Sequence, residues 1–240
     1  MKKNFFKNWP LVTLYIVSKN HEEYIAKCIK SALCQTYNNL ELYIIDDNSF
    51  DRTSSIISKI INNKKKIKFF ENKKTKGLQK IANKVIKNCN GEYILRLDGD
   101  DWLDENAILN LVTKANSNPK IGAVYGGYYY VNNNNDIIGE EKNPSQNINL
   151  LPPHGACTLF KNRALKEMGG YSVDVKSQDG WEAWYKIRDK YRIASITSSI
   201  FFYRQHTESL TRNKNILNDR GKIVKNFFKS KIGDHDRTSI

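Results

Sequence analysis

Residues 91–101 read GEYILRLDGDD. Tyr93, Ile94 and Leu95, with Leu97 just past Arg96, make a short apolar run suited to a strand. The run ends in three carboxylates within four positions, Asp98, Asp100 and Asp101. Like charges this close repel one another. Two readings account for them. Asp101 or Asp104 caps a helix that begins near Glu105, where the helix dipole favours negative charge. Alternatively, the acids hold a hard divalent cation, which takes carboxylate oxygens and keeps substrate phosphates as further ligands. A D-x-D alone does not choose between them, but its place at the end of an apolar run is what the fold turns on.

Toward the N-terminus the same run has predecessors. Residues 11–17 are rich in β-formers, and Tyr24, Ile25, Cys28, Ile29, Ala32 and Leu33 then fall on one face of a helix over 22–35. Residues 40–45 read as a second strand, and Ile56, Ile57, Ile60 and Ile61 mark a helix over 54–61. A third strand at 67–70 precedes a third helix marked by Leu78, Ile81, Ala82, Val85, Ile86 and Cys89. Residues 93–97 are then the fourth strand. This βαβαβαβ order predicts an α/β fold, a mostly parallel sheet with helices on both faces. Right-handed crossovers bring the strand C-termini to one edge, where open α/β sheets bind ligands. Beyond residue 101 the pattern is less regular. A tyrosine-rich strand at 123–131, a polar loop at 132–149 and a strand at 156–160 are expected. A short helix ending near Gly169-Gly170, a helix at 181–188 and an extended stretch at 193–203 follow.

Composition narrows the class. With 240 residues, 40% of them hydrophobic, the chain can bury one substantial core. A formal charge of +14 favours anionic partners: nucleotides, nucleic acid or an anionic membrane. The four cysteines contain no C-x-x-C pair, which argues against a zinc ribbon or a thioredoxin-type site. Cys28 and Cys89 fall on apolar helix faces and read as buried. Lysines precede residues 11–17, but that run is short and lacks a small-residue cleavage site, so it reads as a strand and not a signal peptide. No stretch approaches the roughly 20 apolar residues of a membrane span.

A second acidic cluster, Asp46-Asp47-Asn48-Ser49, ends the second strand, and Asp51 and Thr53 follow it. One such cluster reads equally as a helix cap; two on one sheet edge suggest a nucleotide and its metal. The glycine-rich phosphate fingerprints are missing, so metal and basic side chains have to neutralise the phosphates. A nucleotidyltransferase shares such a sheet and acidic site, but residues 17–23 lack its glycine- and base-rich loop. A non-enzymatic nucleic-acid-binding protein is the other alternative, and the aromatic–basic motifs it needs are not found.

These stretches together resemble the family 2 glycosyltransferases, whose fold is the Rossmann-like GT-A fold. The matching pieces are VSKNHEEYI at 17–25, QTY at 35–37, ELYIIDDNSFDRT at 41–53, the spacing of Gly77 and Asn83, and GEYILRLDGDD at 91–101. GGY at 169–171, QDGW at 178–181 and YRQHTES at 203–209 continue the series. The likeness runs from about residue 11 to 210, and the chain resembles bacterial enzymes that extend surface polysaccharides. It implies a single domain over 1–210, with a nucleotide-sugar half at about 11–101 and an acceptor half at about 102–210.

The resemblance also implies roles. Val17, Ser18, Asn20 and Asp47 would hold the nucleotide base, and a carboxylate that accepts an imide N–H favours UDP-sugars. Gly77, Asp98, Gly99 and Arg204 would complete the donor site, with Asp98 facing the ribose and Arg204 pairing with phosphate or with an acid of the site. Asp100 would bind Mn²⁺ or Mg²⁺ bridging the diphosphate, and His206 would join the metal or phosphate shell. Asp179 would be the general base of an inverting transfer to a hydroxyl of a glycan or lipid-linked glycan; its ordinary reading is a helix cap. His154, Gln178 and Trp181 would line the acceptor side. Gln178 replaces the family's glutamate, and Ala82 stands where many members have arginine.

From Thr211 onward, eight basic and three acidic residues accompany Ile216, Leu217, Ile223, Val224, Phe227 and Phe228 on one helical face. This basic tail at 211–240 is either a helix lying on an anionic membrane or one packed on the core. The expected location is the cytoplasm, and the inner face of the cell membrane if the tail binds lipid. Nucleic acid is not an expected partner.

Overall fold

The computed structural model describes residues 9–62, 67–142, 155–173 and 179–205. At its centre lies β1 (Val12–Ser18), flanked in parallel by β2 (Leu40–Asp46) and β4 (Tyr93–Asp98), with β3 (Ile67–Glu71) outside β2. Central parallel strands are covered on both faces and so need apolar residues at nearly every position. β1 obeys this: Val12, Leu14 and Ile16 enter one core and Tyr15 the other. Helices α1 (Ile25–Leu33) and α2 (Thr53–Ile61) close the first core with Ile25, Cys28, Ile29 and Ile57. Helix α3 (Leu78–Asn88) closes the second with Ile81, Ala82, Val85 and Ile86. The predicted alternation therefore stands, and so do its strand ends.

The second half extends the same sheet by mixed pairing. β5 (Trp102–Leu103) and helix α4 (Ala107–Asn116) follow the D-x-D. Strand β6 (Ile121–Val131) forms a hairpin with β7 (Ile137–Glu141). β8 (Leu159–Lys161) joins β4 to β6 antiparallel, and β9 (Arg192–Arg204) runs parallel to β6 and antiparallel to β5. Helices α5 (Asn162–Glu167) and α6 (Asp179–Arg188) pack on the second core, where Trp184 is buried against Tyr125.

Three expectations change. Residues 132–149 were expected as loop, yet Ile137 and Ile138 begin an edge strand. Asn132 and Asp136 close its turn, and Asn135 takes the left-handed φ of 70° that asparagine tolerates. The strand expected from residue 156 begins at Leu159, because Cys157 adopts a φ of 58° and its N–H donates to the Arg96 carbonyl at 2.8 Å. The helix expected near Glu105 starts at Ala107, and Asp104, not Asp101, organises its entry: Asp104 Oδ1 accepts the Asn106 N–H at 2.9 Å. Cys28 and Cys89 are buried as expected, Cys157 is buried too, and Cys34 is exposed.

Candidate functional site

The strands β1, β2 and β4 end level with one another: Ser18 is paired with Asp46, and Val17 with Asp98. The loops leaving β1 and β2 are stitched together above that edge. Ser49 Oγ accepts the Asn20 N–H and Asn20 Oδ1 accepts the Phe50 N–H, each at 2.9 Å. Thr53 Oγ1 accepts the His21 N–H at 2.8 Å and Asp51 Oδ2 accepts the Glu22 N–H at 3.0 Å. Asn20 and Asn48 have φ of 55° and 66°, which lets the two loops turn sharply. Two stretches distant in sequence are thus one rigid rim.

The paired aspartates at the end of β2 have different surroundings. Asp46 is buried and accepts hydrogen bonds from the Ser49 hydroxyl and N–H, so it supports the turn. Burial raises its pKa, partly opposed by those bonds. Asp47 accepts from Asn72 Nδ2 and from the main-chain N–H groups of Lys76 and Gly77, all at 2.9 Å. It holds the β3–α3 loop against the sheet edge, where Gly77 needs a φ of 83°. An ionised carboxylate offers about four lone-pair sites, so Asp47 retains capacity for one further donor such as a base imide.

Gly99 forms the floor beside them. Its N–H donates to Val17 O at 2.9 Å, and a Cβ there would meet Ser18 Oγ at 2.6 Å and His21 Nδ1 at 2.7 Å. Only glycine lets the D-x-D approach β1 this closely. His21 was not singled out from sequence. It lies inside the VSKNHEEYI stretch, but only folding sets its imidazole over Gly99.

The acids are balanced by two arginines. Arg96, buried on β4, pairs its Nε with Asp98 Oδ1 at 2.9 Å. The i, i+2 spacing that puts both on one face of a strand was the available signal. Asp100 is half-buried. Asp101 is 1% exposed; its Oδ1 accepts the Arg204 N–H at 2.9 Å, while its Oδ2 is buried with no hydrogen-bond partner. Burial, reinforced by Asp100 and Asp98, pushes the Asp101 carboxyl well above the usual range. Arg204 is likewise 1% exposed, and its Nε donates to the Asp100 carbonyl at 3.0 Å.

Other motif pieces hold the frame. Gln35 donates to Asp104 O at 2.7 Å and accepts from Ile108 N at 3.1 Å, tying α1 to the exit of the D-x-D. Asn83 exchanges two 2.8 Å bonds with the main chain of Tyr171, joining α3 to the GGY turn. Asp179 and Trp181 lie in the first turn of α6, on backbone described without their side chains. His154, Gln178, His206 and the tail at 211–240 lie outside the described residues. Among the described residues no group of three or more His, Cys, Asp or Glu is arranged to hold a metal. The donor set that does exist, one half-buried carboxylate at the mouth of a nucleotide-type edge, suits a cation that takes its other ligands from phosphate and water.

The profile of the family described as Glycosyl transferase family 2 matches residues 13–169. The chain belongs to glycosyl transferase family 2. It is 28% identical to an Escherichia coli chondroitin synthase over 76% of this chain and 27% of that protein. To a Staphylococcus epidermidis poly-beta-1,6-N-acetyl-D-glucosamine synthase it is 28% identical over 72% of this chain and 45% of that one. The chain thus spans about a quarter to a half of these relatives. In fold it is similar to S. aureus TarS 1-349 in complex with UDP-GlcNAc, with a TM-score of 0.68 at 18% identity, covering 85% of this chain and 61% of that one. It is also similar to the mannosyltransferase PcManGT from Pyrobaculum calidifontis in complex with GDP-Man and Mn²⁺, with a TM-score of 0.67 at 18% identity over 85% of this chain and 59% of that one. The fold of this family 2 glycosyltransferase is GT-A. Membership sets aside the nucleotidyltransferase and non-enzymatic readings.

Proposed function

We propose that this glycosyltransferase transfers a sugar from a nucleoside-diphosphate sugar, a UDP-sugar, to a hydroxyl of a glycan or lipid-linked glycan during bacterial surface polysaccharide synthesis. One observation carries the donor half. Asp47, the Gly99 floor and the D-x-D converge at the level ends of β1, β2 and β4. The bacterial polysaccharide synthases among the relatives support the acceptor class.

In this reading Val17, Ser18, Asn20 and Asp47 hold the base, with the remaining acceptor capacity of Asp47 taking the uracil imide N–H. Asp98, oriented by Arg96, meets the ribose, and Gly77 shapes the loop beside it. Asp100, with His206, would hold Mn²⁺ or Mg²⁺, which supplies charge neutralisation for the departing diphosphate. Asp179 takes the proton of the acceptor hydroxyl. The acceptor oxygen then forms its bond to the anomeric carbon as the bond to the diphosphate oxygen breaks on the opposite face, so the configuration inverts. His154, Gln178 and Trp181 line the acceptor side. Domain limits at 1–210 and 211–240, and contact of the tail with an anionic membrane, belong to the same proposal.

The test is thermal protection by a panel of UDP-GlcNAc, UDP-glucuronate, UDP-glucose and GDP-mannose, with and without Mn²⁺. Ligand that binds the native state raises the melting temperature. Metal-dependent protection by a UDP-sugar is expected; protection by GDP-mannose alone would reassign the base.

A further inference from the structure

Arg204, the last residue of β9, joins two loops that lie far apart in sequence. Its Nε donates to the Asp100 carbonyl at 3.0 Å, and its main-chain N–H donates to Asp101 Oδ1 at 2.9 Å. On the other side, Nη1 donates to the carbonyls of Asn132 at 2.7 Å and Asn133 at 3.2 Å, and Nη2 donates to Asn135 Oδ1 at 2.7 Å. The Tyr24 and Trp102 rings pack on the guanidinium, their centroids 4.3 and 5.1 Å from its carbon. Four of the five guanidinium N–H donors are therefore engaged by the protein itself. A group so enclosed is poorly placed to meet a diphosphate, but it fixes the main chain that carries the Asp100 carboxylate.

The far anchor is well defined. Asn135 N–H donates to Asn132 O at 3.1 Å, and Asn132 and Asp136 exchange side-chain and main-chain bonds at 2.9–3.1 Å. Asn135 is exposed, its backbone takes the left-handed φ of 70°, and its amide oxygen is held by Arg204 Nη2 at 2.7 Å. Lysine cannot replace the planar fork that spans both loops.

We propose that Arg204 is a positioning residue: it transmits the geometry of the turn at 132–135 to Asp100, and so sets how the donor diphosphate and its metal are held. The metal-binding part rests on the donor-site reading above.

The experiment compares the full chain with Asn135→Gly, Arg204→Lys and Asn134→Gly. Asn135→Gly tolerates the left-handed backbone and removes the side chain whose amide oxygen accepts from Arg204 Nη2. Asn134, exposed in the same turn, serves as control. Two readouts are taken: amide hydrogen exchange of the segment at 98–104, and UDP affinity with and without Mn²⁺. Asn135→Gly and Arg204→Lys should speed exchange in that segment and weaken Mn²⁺-dependent UDP affinity by about tenfold. Metal-free affinity should hold, and Asn134→Gly should change neither readout. If Arg204 met the diphosphate directly, Arg204→Lys would weaken UDP binding with or without metal and Asn135→Gly would be silent, which overturns the proposal. A merely structural role would lower the melting temperature and speed exchange throughout β6 and β9 without changing the ratio of the two affinities, which also overturns it. Wild type that binds UDP equally with and without Mn²⁺ would remove Asp100 from metal binding. Faster exchange confined to 98–104 in Asn135→Gly would even then uphold the coupling of the turn to the D-x-D.

Discussion

Asp98 and Asp100 are two positions apart, and their neighbours divide their roles. The Asp98 carboxylate is oriented by the buried Arg96, whereas Asp100 has its main chain fixed by Arg204. Asp100→Ala should therefore abolish the metal-dependent increment of UDP binding and leave metal-free binding in place. Calorimetric titration of UDP with and without Mn²⁺ reads this directly; an increment equal to that of wild type would put the cation elsewhere. Asp179→Asn keeps the shape but cannot accept a proton. Transfer should fall by about 10²-fold or more while donor affinity holds, and a near wild-type turnover would place the base on another residue. At this scale the clustering of the acids at a strand end was legible, because three carboxylates close an apolar run. Their counter-charges were not. Arg96 offered only its i, i+2 spacing to Asp98, and the carbonyl and amide acceptors of Arg204 lie 69 to 104 positions away.

The βα elements of the first half were legible for a related reason: each buries its apolar face locally, so the periods of 3.6 and 2 appear in the sequence. The second half depends on non-local pairing. β6 takes β8, β9 and β7 as neighbours, with register shifts against β9, and none of these pairings leaves a periodic trace. β7 went unseen because only Ile137 and Ile138 interrupt a polar stretch, and both stay exposed on the edge strand. Between elements, β2 is tied to β1 and to the turn before β4 by Glu41, which accepts from Thr13 Oγ1 at 2.6 Å and from Asn90 N at 2.8 Å. Burial alone would raise its pKa, but these hydrogen bonds outweigh it and hold the carboxyl below its ordinary value. The unfolded chain then binds more protons than the native one. The stabilisation is present above about pH 4.3 and is lost as pH falls through the folded value. Glu41→Gln should unfold at lower urea than wild type at pH 7, and the gap should close on acidification toward pH 3. A gap that stays constant with pH would deny Glu41 this role.

For the whole molecule the governing facts are a charge of +14 and a basic tail. Among the described residues no helix is long and apolar enough to cross a membrane. A lipid-linked acceptor would nevertheless have to be met at a surface, and charge attraction is one means of staying there. If the stretch from Ile216 to Phe228 forms a helix on the membrane, its apolar face buries in the interface and its lysines attract anionic lipid. Each basic residue near the surface contributes about 1 kcal/mol, less as salt screens it. Full-length protein should then co-sediment with phosphatidylserine-containing vesicles at low salt and release at high salt, and a chain ending at Ser209 should stay in solution. A tail packed on the core predicts the opposite pair of results: little vesicle binding by either chain, and a lower melting temperature for the shortened one because apolar surface is uncovered. Measuring sedimentation and melting on both chains separates the two. Vesicle binding that survives truncation would defeat the tail hypothesis, because the basic body of the enzyme would then suffice.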